Sequence, residues 1–250
     1  MGRVRKNNED SYLISPEANL AIVADGMGGL EGGEIASRMA VEMLSEEIYD
    51  VMPTDEFDAE NLDEAENNSM IYCMEKFIPL FRVWINKVNR AVVNYGANHR
   101  ELGKIGSTVL IFFARGDRAL LAHVGDSRIY LLRGNQLMQV TRDHSVLNRM
   151  MEQGLQLSDD QKKKYKHVIT QAIGVVDDIQ PDVVLHKLEV GDIYLLCSDG
   201  LTDMVTDAEI RDTMVANAKK PEKLAAALIA FANSRGGKDN ITVALAKIVP

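Results

Sequence analysis

Short apolar runs broken by single turns dominate the chain. Leu20–Ala24 (LAIVA), Val109–Ala114 (VLIFFA), Ala119–Val124 (ALLAHV), Arg128–Leu132 (RIYLL), Ile193–Cys197 (IYLLC) and Ile241–Ala246 (ITVALA) are β-rich and bounded by Gly or Asp. Three junctions between them are tight: Arg115–Gly116–Asp117, Gly125–Asp126 and Gly134–Asn135. The pattern predicts antiparallel meanders rather than βαβ units. A period near 3.6 appears elsewhere. Glu34–Ile48 puts Ile35, Met39, Met43, Leu44 and Ile48 on one stripe, and Phe81–Tyr95 does the same with Phe81, Trp84, Ile85, Val88, Val92 and Tyr95. Pro79 is expected to start or kink that second helix. Thr206–Asp207–Ala208–Glu209 reads as a capping box opening a helix to about Ala218, and Pro221–Ser234 as one more helix.

The 250 residues suffice for one or two domains, and the absence of a repeat or a Pro/Ser linker predicts one, spanning 1–250. With 46% hydrophobic and 26% charged residues the chain is neither disordered nor fibrous. The net charge of -9 and the lack of a clustered basic face argue against nucleic acid and anionic membranes as partners. Cys73 and Cys197 are too few for a disulfide framework and read as free thiols of a reducing compartment. No apolar run approaches the ~20 residues of a membrane span, and MGRVRKNNED lacks the apolar stretch of a signal peptide. A cytoplasmic location is expected. Pro53–Ser69 holds seven acidic residues and no basic one. It reads as a solvated loop or frayed helix, with a docking or regulatory insertion as the alternative.

Aspartates fall where strands open into loops. Asp25 closes LAIVA and precedes Gly26; Asp126 follows ALLAHVG; Asp199 follows IYLLCS and precedes Gly200; Asp239 stands before the last strand; Asp10 lies in NNED ahead of Tyr12–Ile14. Carboxylates gathered at one point raise one another's pKa, a conflict that a hard divalent cation removes. Oxygen ligands select Mg²⁺ or Mn²⁺ over zinc or copper, and a glycine after the aspartate lets backbone approach an ion. Any single Asp-Gly is more often a turn, so spacing alone leaves a metal site and a set of ordinary turns as equal readings. The stretch Gly26–Gly33 is not a nucleotide loop: Glu34 stands where a phosphate loop needs Lys, and Glu31 where a dinucleotide fingerprint needs Gly. Arg5 is either a surface arginine or a guanidinium fork for a phosphate. His123 lies within a strand and reads as a core histidine, while His167, after the basic run Lys162–Lys164, is a candidate for proton transfer.

Together the segments VRKNNEDS (4–11), VADGMGGLEGGE (23–34), GST (106–108), AHVGDSRIYLLR (122–133), VTRDHS (140–145), LLCSDGLTD (195–203) and GGKDNITV (236–243) closely resemble, in order, the metal-dependent Ser/Thr protein phosphatases of type 2C in their compact bacterial form. The resemblance covers nearly everything except the insertion at about 52–76. It implies an α+β fold: two antiparallel β-sheets packed as a sandwich, flanked on both outer sides by pairs of antiparallel helices. It implies two Mn²⁺ or Mg²⁺ ions, with Asp25 bridging them, the Gly26 carbonyl on one, Asp199 and Asp239 on the other, Asp10 holding metal-bound water, and Asp126 with Asp199 forming a weaker third site. Arg5 is then the phosphate clamp. Phosphoserine and phosphothreonine are then hydrolysed by a water shared between the metals, with no phosphoenzyme. The implied partners are phosphorylated proteins, among them a Ser/Thr kinase and its targets, for a monomeric enzyme. Two departures stand out. Many eukaryotic relatives carry His after the first Asp-Gly, proposed as the leaving-group acid, where this chain has Met27; His167 or a metal-bound water then takes that part. The family also has a strand before the first motif, where this chain has only Met1–Arg3. The alternatives are a hydrolase of small phosphoesters and an inactive phosphoprotein-binding scaffold of the same fold.

Overall fold

The computed structural model describes residues 2–29, 31–51 and 64–250. Among them the predicted sandwich is present as ten strands in two antiparallel sheets. The first sheet runs β1 (Asp10–Ser15), β2 (Leu20–Gly28), β4 (Val109–Arg115), β5 (Arg118–Val124) and β8 (Asp182–Lys187), with the short β3 (Ile105–Ser107) also paired to β2. The second runs β10 (Val243–Lys247), β9 (Ile193–Cys197), β6 (Arg128–Arg133) and β7 (Gln136–Gln139).

The continuous apolar runs follow from burial on both strand faces. Alternate residues split between two cores: Ile22, Ala24, Ile111 and Phe113 face the helices α1 (Gly32–Val51) and α2 (Glu64–Asn98), while Ala21, Val23, Leu110 and Phe112 meet Leu131, Tyr194 and Leu196 of the other sheet. The outer face of the second sheet packs on α6 (Asp207–Asn217) and α7 (Pro221–Ser234) through Leu195, Ile210, Met214, Leu224 and Leu228. The shorter α3 (Val146–Glu152), α4 (Asp159–Lys166) and α5 (Asp199–Thr202) lie in the connections.

Four expectations need correction. Gly125–Asp126 does not join a meander; it carries the chain from β5 of one sheet to β6 of the other. β2 does not stop at Ala24, because from Gly26 it exchanges its earlier neighbours for β3, so Asp25 lies inside a strand. The α1 stripe is rotated: Ala36, Ala40, Val41, Leu44 and Ile48 are buried, while Ile35, Met39 and Met43 are half-buried. Alanines on the inner face let the helix axis approach the sheet closely, which the larger side chains would prevent. Pro79 does not start the helix; it lies inside α2. Its ring is on the exposed face, while Met74, Phe81, Trp84, Ile85, Val88 and Val92 hold the opposite face in the core. The capping box at Thr206 is present, Thr206 Oγ1 accepting from Glu209 N–H and Glu209 reaching back to Thr206 N–H. Of the acidic stretch, residues 53–63 lie outside the described residues, and α2 begins at Glu64. No described helix is long and apolar enough to cross a membrane.

Candidate metal centre

One cleft of about 230 Å³ collects Arg5, Asp25, Gly26, Asp126, His167, Asp199 and Asp239, together with Glu9 and Met27. Its residues arrive from both sheets. Asp10 and Asp25 are opposite each other across β1 and β2. Asp126 sits in the crossover between sheets, Asp199 opens α5 just beyond β9, and Asp239 precedes β10. Glycine is required behind two of these aspartates. A Cβ on Gly26 would stand 2.1 Å from Gly33 O and 2.4 Å from Glu9 O; one on Gly200 would stand 1.9 Å from Asn240 O. Neither backbone has room to give way.

Polar side chains fix this floor from beneath. Asp25 N–H donates to Thr108 Oγ1 at 3.0 Å, and Asp25 O accepts from Thr108 N–H (2.9 Å) and Ser107 Oγ (3.0 Å). Thr108 Oγ1 in turn meets Ser127 Oγ at 2.8 Å, tying β2 to the Asp126 turn. Asp10 is buried, and its Oδ2 accepts from Thr242 Oγ1 (2.6 Å) and Ser198 Oγ (3.1 Å). Its Oδ1 is buried without a hydrogen-bond partner. Asn240 Oδ1 accepts from Glu9 N–H at 2.9 Å, and Asn240 Nδ2 donates to Asn7 O, joining the N-terminal segment to the last loop.

The electrostatics are those of crowded acids. Desolvation, then the charges of Asp10 and Asp199, hold Asp25 well above the usual carboxylate range. Burial, then Asp126, pushes Asp199 up to about 7. Burial, then Asp143, pushes Asp126 up to about 6. Burial raises Asp10 against the lowering effect of its two hydroxyl donors. Among the described residues that line the cleft Arg5 is the one permanent cation, its Nη2 2.7 Å from Asp239 Oδ2. A set of hard oxygen donors, too crowded to be ionised together and including one orphaned carboxylate oxygen, fits hard divalent cations such as Mg²⁺ or Mn²⁺.

The structure thus brings all eight predicted site residues to one place. Asp203 was not singled out by the sequence reading. It lies four residues after Asp199, on the same helical face, and with Asp199 and His167 forms a group whose ligand atoms are all within 4.8 Å. Its Oδ1 meets Lys166 Nζ at 3.1 Å, and its Oδ2 meets His167 Nδ1 at 3.4 Å. The i,i+4 pair in DGLTD was the available signal. Asn89, fully buried on α2, also went unnoticed. It donates to Val176 O and Asp177 O and accepts from Gly174 N–H, anchoring the loop beyond the cleft wall.

A second group, His123, His144 and Asp182, has metal-like spacing. His123 donates from Nε2 to Arg142 O (2.9 Å), as a core histidine should. His144 Nδ1 accepts from Gly125 N–H (3.1 Å), so its Nε2 carries the proton shared with Asp182 Oδ2 (3.2 Å). Both Nε2 atoms are thus donors already in use, and the stacked pair braces the turn that carries Asp126. Cys197 is buried, its thiol pushed up to about 12 by burial, so it is not a nucleophile.

Comparison with known proteins gives one consistent result. The family model described as protein phosphatase 2C matches residues 54–241. The chain is 34% identical to a serine/threonine phosphatase stp of Listeria welshimeri over 98% of its own length and 91% of the relative's. It is 36% identical to the protein phosphatase PhpP of Streptococcus pneumoniae over 98% and 93%. The catalytic domain of the serine/threonine protein phosphatase PstP, crystallised with two manganese ions, superposes with a TM-score of 0.79 at 31% identity, covering 100% of this chain and 95% of that one.

Proposed function

Since this chain belongs to the protein phosphatase 2C family, we propose that it hydrolyses phosphoserine and phosphothreonine in proteins, using the cleft floored by Asp25, Asp126, Asp199 and Asp239. It is read as one catalytic domain over residues 1–250. The convergence of these carboxylates on one cleft that Arg5 also lines, with Asp10 buried opposite Asp25 across β1 and β2, carries the reading.

Asp25, Asp199 and Asp239, with the Gly26 carbonyl, are the residues that would hold two Mn²⁺ or Mg²⁺ ions, and Asp126 with Asp199 a third. Bound there, such ions supply Lewis acidity to the phosphoryl group and make water acidic near neutral pH. The chain's own groups do the rest. Asp10 Oδ1, the unpartnered oxygen, accepts a hydrogen bond from the attacking water and orients it in line with phosphorus. Arg5 donates to the phosphoryl oxygens and neutralises charge that builds on them. His167, exposed on the cleft wall with Nδ1 beside Asp203, delivers a proton to the departing serine or threonine oxygen. Met27 occupies the wall where many eukaryotic relatives place a histidine, and lends no proton.

The physiological partners that fit are a Ser/Thr kinase and its targets in a bacterial cytoplasm, met by a monomer in a signalling role. The buried free Cys197 and the absence of a membrane-crossing helix among the described residues support that setting.

Chelation tests the reading. Treatment with EDTA should abolish release of phosphate from a phosphothreonine peptide, and Mn²⁺ or Mg²⁺ should restore it. Calorimetry of the chelated protein should register at least two Mn²⁺ ions, and Asp239→Ala should lose one of them. Full activity after exhaustive chelation overturns the assignment.

A further inference from the structure

We propose that His144 is a positioning residue for the third ion: its Nδ1, kept free to accept by Asp182, clamps Gly125 and so aims Asp126 into the cleft. The proposal rests on the phosphatase reading, in which Asp126 and Asp199 would hold that ion.

Asp25 lies within β2 and Asp199 opens α5, so regular backbone sets their directions. Asp126 has no such support. It is the middle of the three-residue link between β5 and β6. The residue before it cannot define the turn alone. Gly125 has a φ of +108°, and a Cβ there would stand 2.6 Å from Thr108 Cγ2. The site therefore demands glycine, whose backbone is the most permissive of all. The direction of Asp126 must be fixed from outside the link, and two supports do so. On one flank Ser127 Oγ meets Thr108 Oγ1 at 2.8 Å. On the other, His144 holds both polar groups of Gly125. Its N–H donates to Gly125 O at 2.8 Å, and its Nδ1 accepts from Gly125 N–H at 3.1 Å. His144 O also accepts from Thr170 N–H at 2.7 Å, next to the cleft-lining Ile169.

Nδ1 can accept in the neutral ring only when the proton sits on Nε2. Asp182 secures that tautomer, its Oδ2 accepting from His144 Nε2 at 3.2 Å. His123 fixes the plane of the ring: it stacks on His144 with centroids 4.4 Å apart and planes 24° from parallel. His123 and Asp182 are themselves register partners across β5 and β8. A continuous line, Asp182 to His144 to Gly125 to Asp126, thus runs from the edge strand of the first sheet to the cleft floor. Packing alone accounts for the stacked ring, which a leucine could replace in bulk. It does not account for a lone pair spent on Gly125 and a proton spent on Asp182. Partners one step behind a metal ligand set its orientation, and their loss costs about 10- to 100-fold in metal affinity.

Two amide variants of the full chain separate the two ends of the ring. In His144→Asn the side-chain oxygen takes the place of Nδ1, so Gly125 keeps its acceptor while the contact with Asp182 is lost. In His144→Gln the amide takes the place of Nε2, so Asp182 keeps its donor while Gly125 N–H is orphaned. Mn²⁺ titration by calorimetry should show the weakest ion bound about tenfold or more weakly in His144→Gln and within about threefold of native in His144→Asn, with the tighter ions shifted less than about twofold in both. Without metal, exchange of the Gly125 amide followed by NMR should be about tenfold faster in His144→Gln, as loss of one hydrogen bond implies, and near native in His144→Asn. The ¹⁵N shifts of the native His144 ring should report a proton on Nε2. In assays His144→Gln should lower kcat rather than raise KM, and added Mn²⁺ should recover it. Unchanged binding of the weakest ion in His144→Gln, equal loss in both variants, a native ring protonated on Nδ1, or a native protein that takes up only two ions overturns the clamp. The expected binding pattern in a protein with no metal-dependent turnover of any phosphoester overturns the phosphatase reading and leaves the clamp standing.

Discussion

Asp192 at the head of β9 and Asp25 in β2 are both carboxylates withdrawn from bulk water, and their surroundings are opposite. Asp192 is 1% exposed, yet both of its oxygens have donors: Arg133 Nε at 2.8 Å on one, and Arg133 Nη2 at 2.7 Å and Glu189 N–H at 2.9 Å on the other. Asp143 is treated likewise by the Arg128 fork, at 2.9 and 2.8 Å, and by Gln139. The consequence appears on the arginine, whose proton the hydrogen bond to Asp192 holds more tightly than usual. Asp25 has acids for neighbours and no such fork. Its conflict is left for an ion from solution to resolve. An acid with its own arginine is scaffold, and an acid among acids is a site.

The largest effect should come from exchanging the fates of these two residues. Asp25→Asn should abolish turnover and Mn²⁺ binding at the core site. It should leave the melting temperature of the metal-free protein unchanged or raised, because it removes a like charge. Asp192→Asn should do the reverse. It breaks charged hydrogen bonds worth about 2 kcal/mol in all, which for a chain of this size lowers the melting temperature by about 4–8 °C, while metal-dependent activity persists. Paired calorimetry and assays decide it. A stability loss for Asp25→Asn as large as that for Asp192→Asn would erase the distinction.

How far the sequence carries this contrast is instructive. All the cleft aspartates stand beside Gly, Ser or Asn in short motifs, so they were readable one by one. Their convergence was not readable from spacing, because it depends on the crossover at Gly125–Asp126 between sheets. Strand alternation was hidden too, since both faces of LAIVA and VLIFFA are buried and no polar face marks the register. The arginine partners of Asp192 and Asp143 could not be found at all: Arg133 is 59 residues from Asp192 and Arg128 is 15 from Asp143. Local caps, such as Thr206 to Glu209, were fully legible because both partners lie within one turn.

Arg5 sharpens the comparison from the other side, since it is the only fixed cation among the described residues lining the cleft and is lent to Asp239 rather than committed to it. The pair is half-exposed, so its own contribution to stability is small. Its value should appear with substrate. Loss of a charged, bidentate partner costs about 1.5–3 kcal/mol, so Arg5→Ala should lower kcat/KM about 10- to 150-fold. Arg5→Lys should recover only part, restoring charge without the planar fork. Mn²⁺ affinity measured by calorimetry should change little. Collapse of metal binding in Arg5→Ala would assign the residue to the metal site instead of the phosphate.

The smallest effect, and the one that reads the acid floor most directly, is the pH dependence of stability without metal. Burial raises Asp126 to about 6 and Asp199 to about 7, above their unfolded value near 3.9. A carboxyl with a raised folded pKa binds its proton more tightly in the folded state. Its contribution is therefore fully present below the unfolded pKa and is lost as pH rises through the folded one. The EDTA-treated protein should accordingly lose stability from about pH 4 to about pH 8, most steeply near pH 5, where both carboxyls are still protonated in the folded state and already ionised in the unfolded one, and more gently above 6 as Asp126 titrates. Divalent cations bind the ionised carboxylates in competition with protons, so the rise in melting temperature produced by 5 mM Mg²⁺ should grow over the same interval. In Asp199→Asn the metal-free slope should flatten, because the most strongly shifted of the two groups no longer titrates. In Asp192→Asn the slope between pH 6 and 7 should stay as in the native chain, only lower throughout, since that residue lies outside the acid floor. Melting curves at half-unit pH steps, with EDTA and with Mg²⁺, make the measurement. A metal-free stability that climbs from pH 5 to pH 8 would mean that the floor acids are already neutralised from within, and that the cleft does not depend on a cation to hold its charges together.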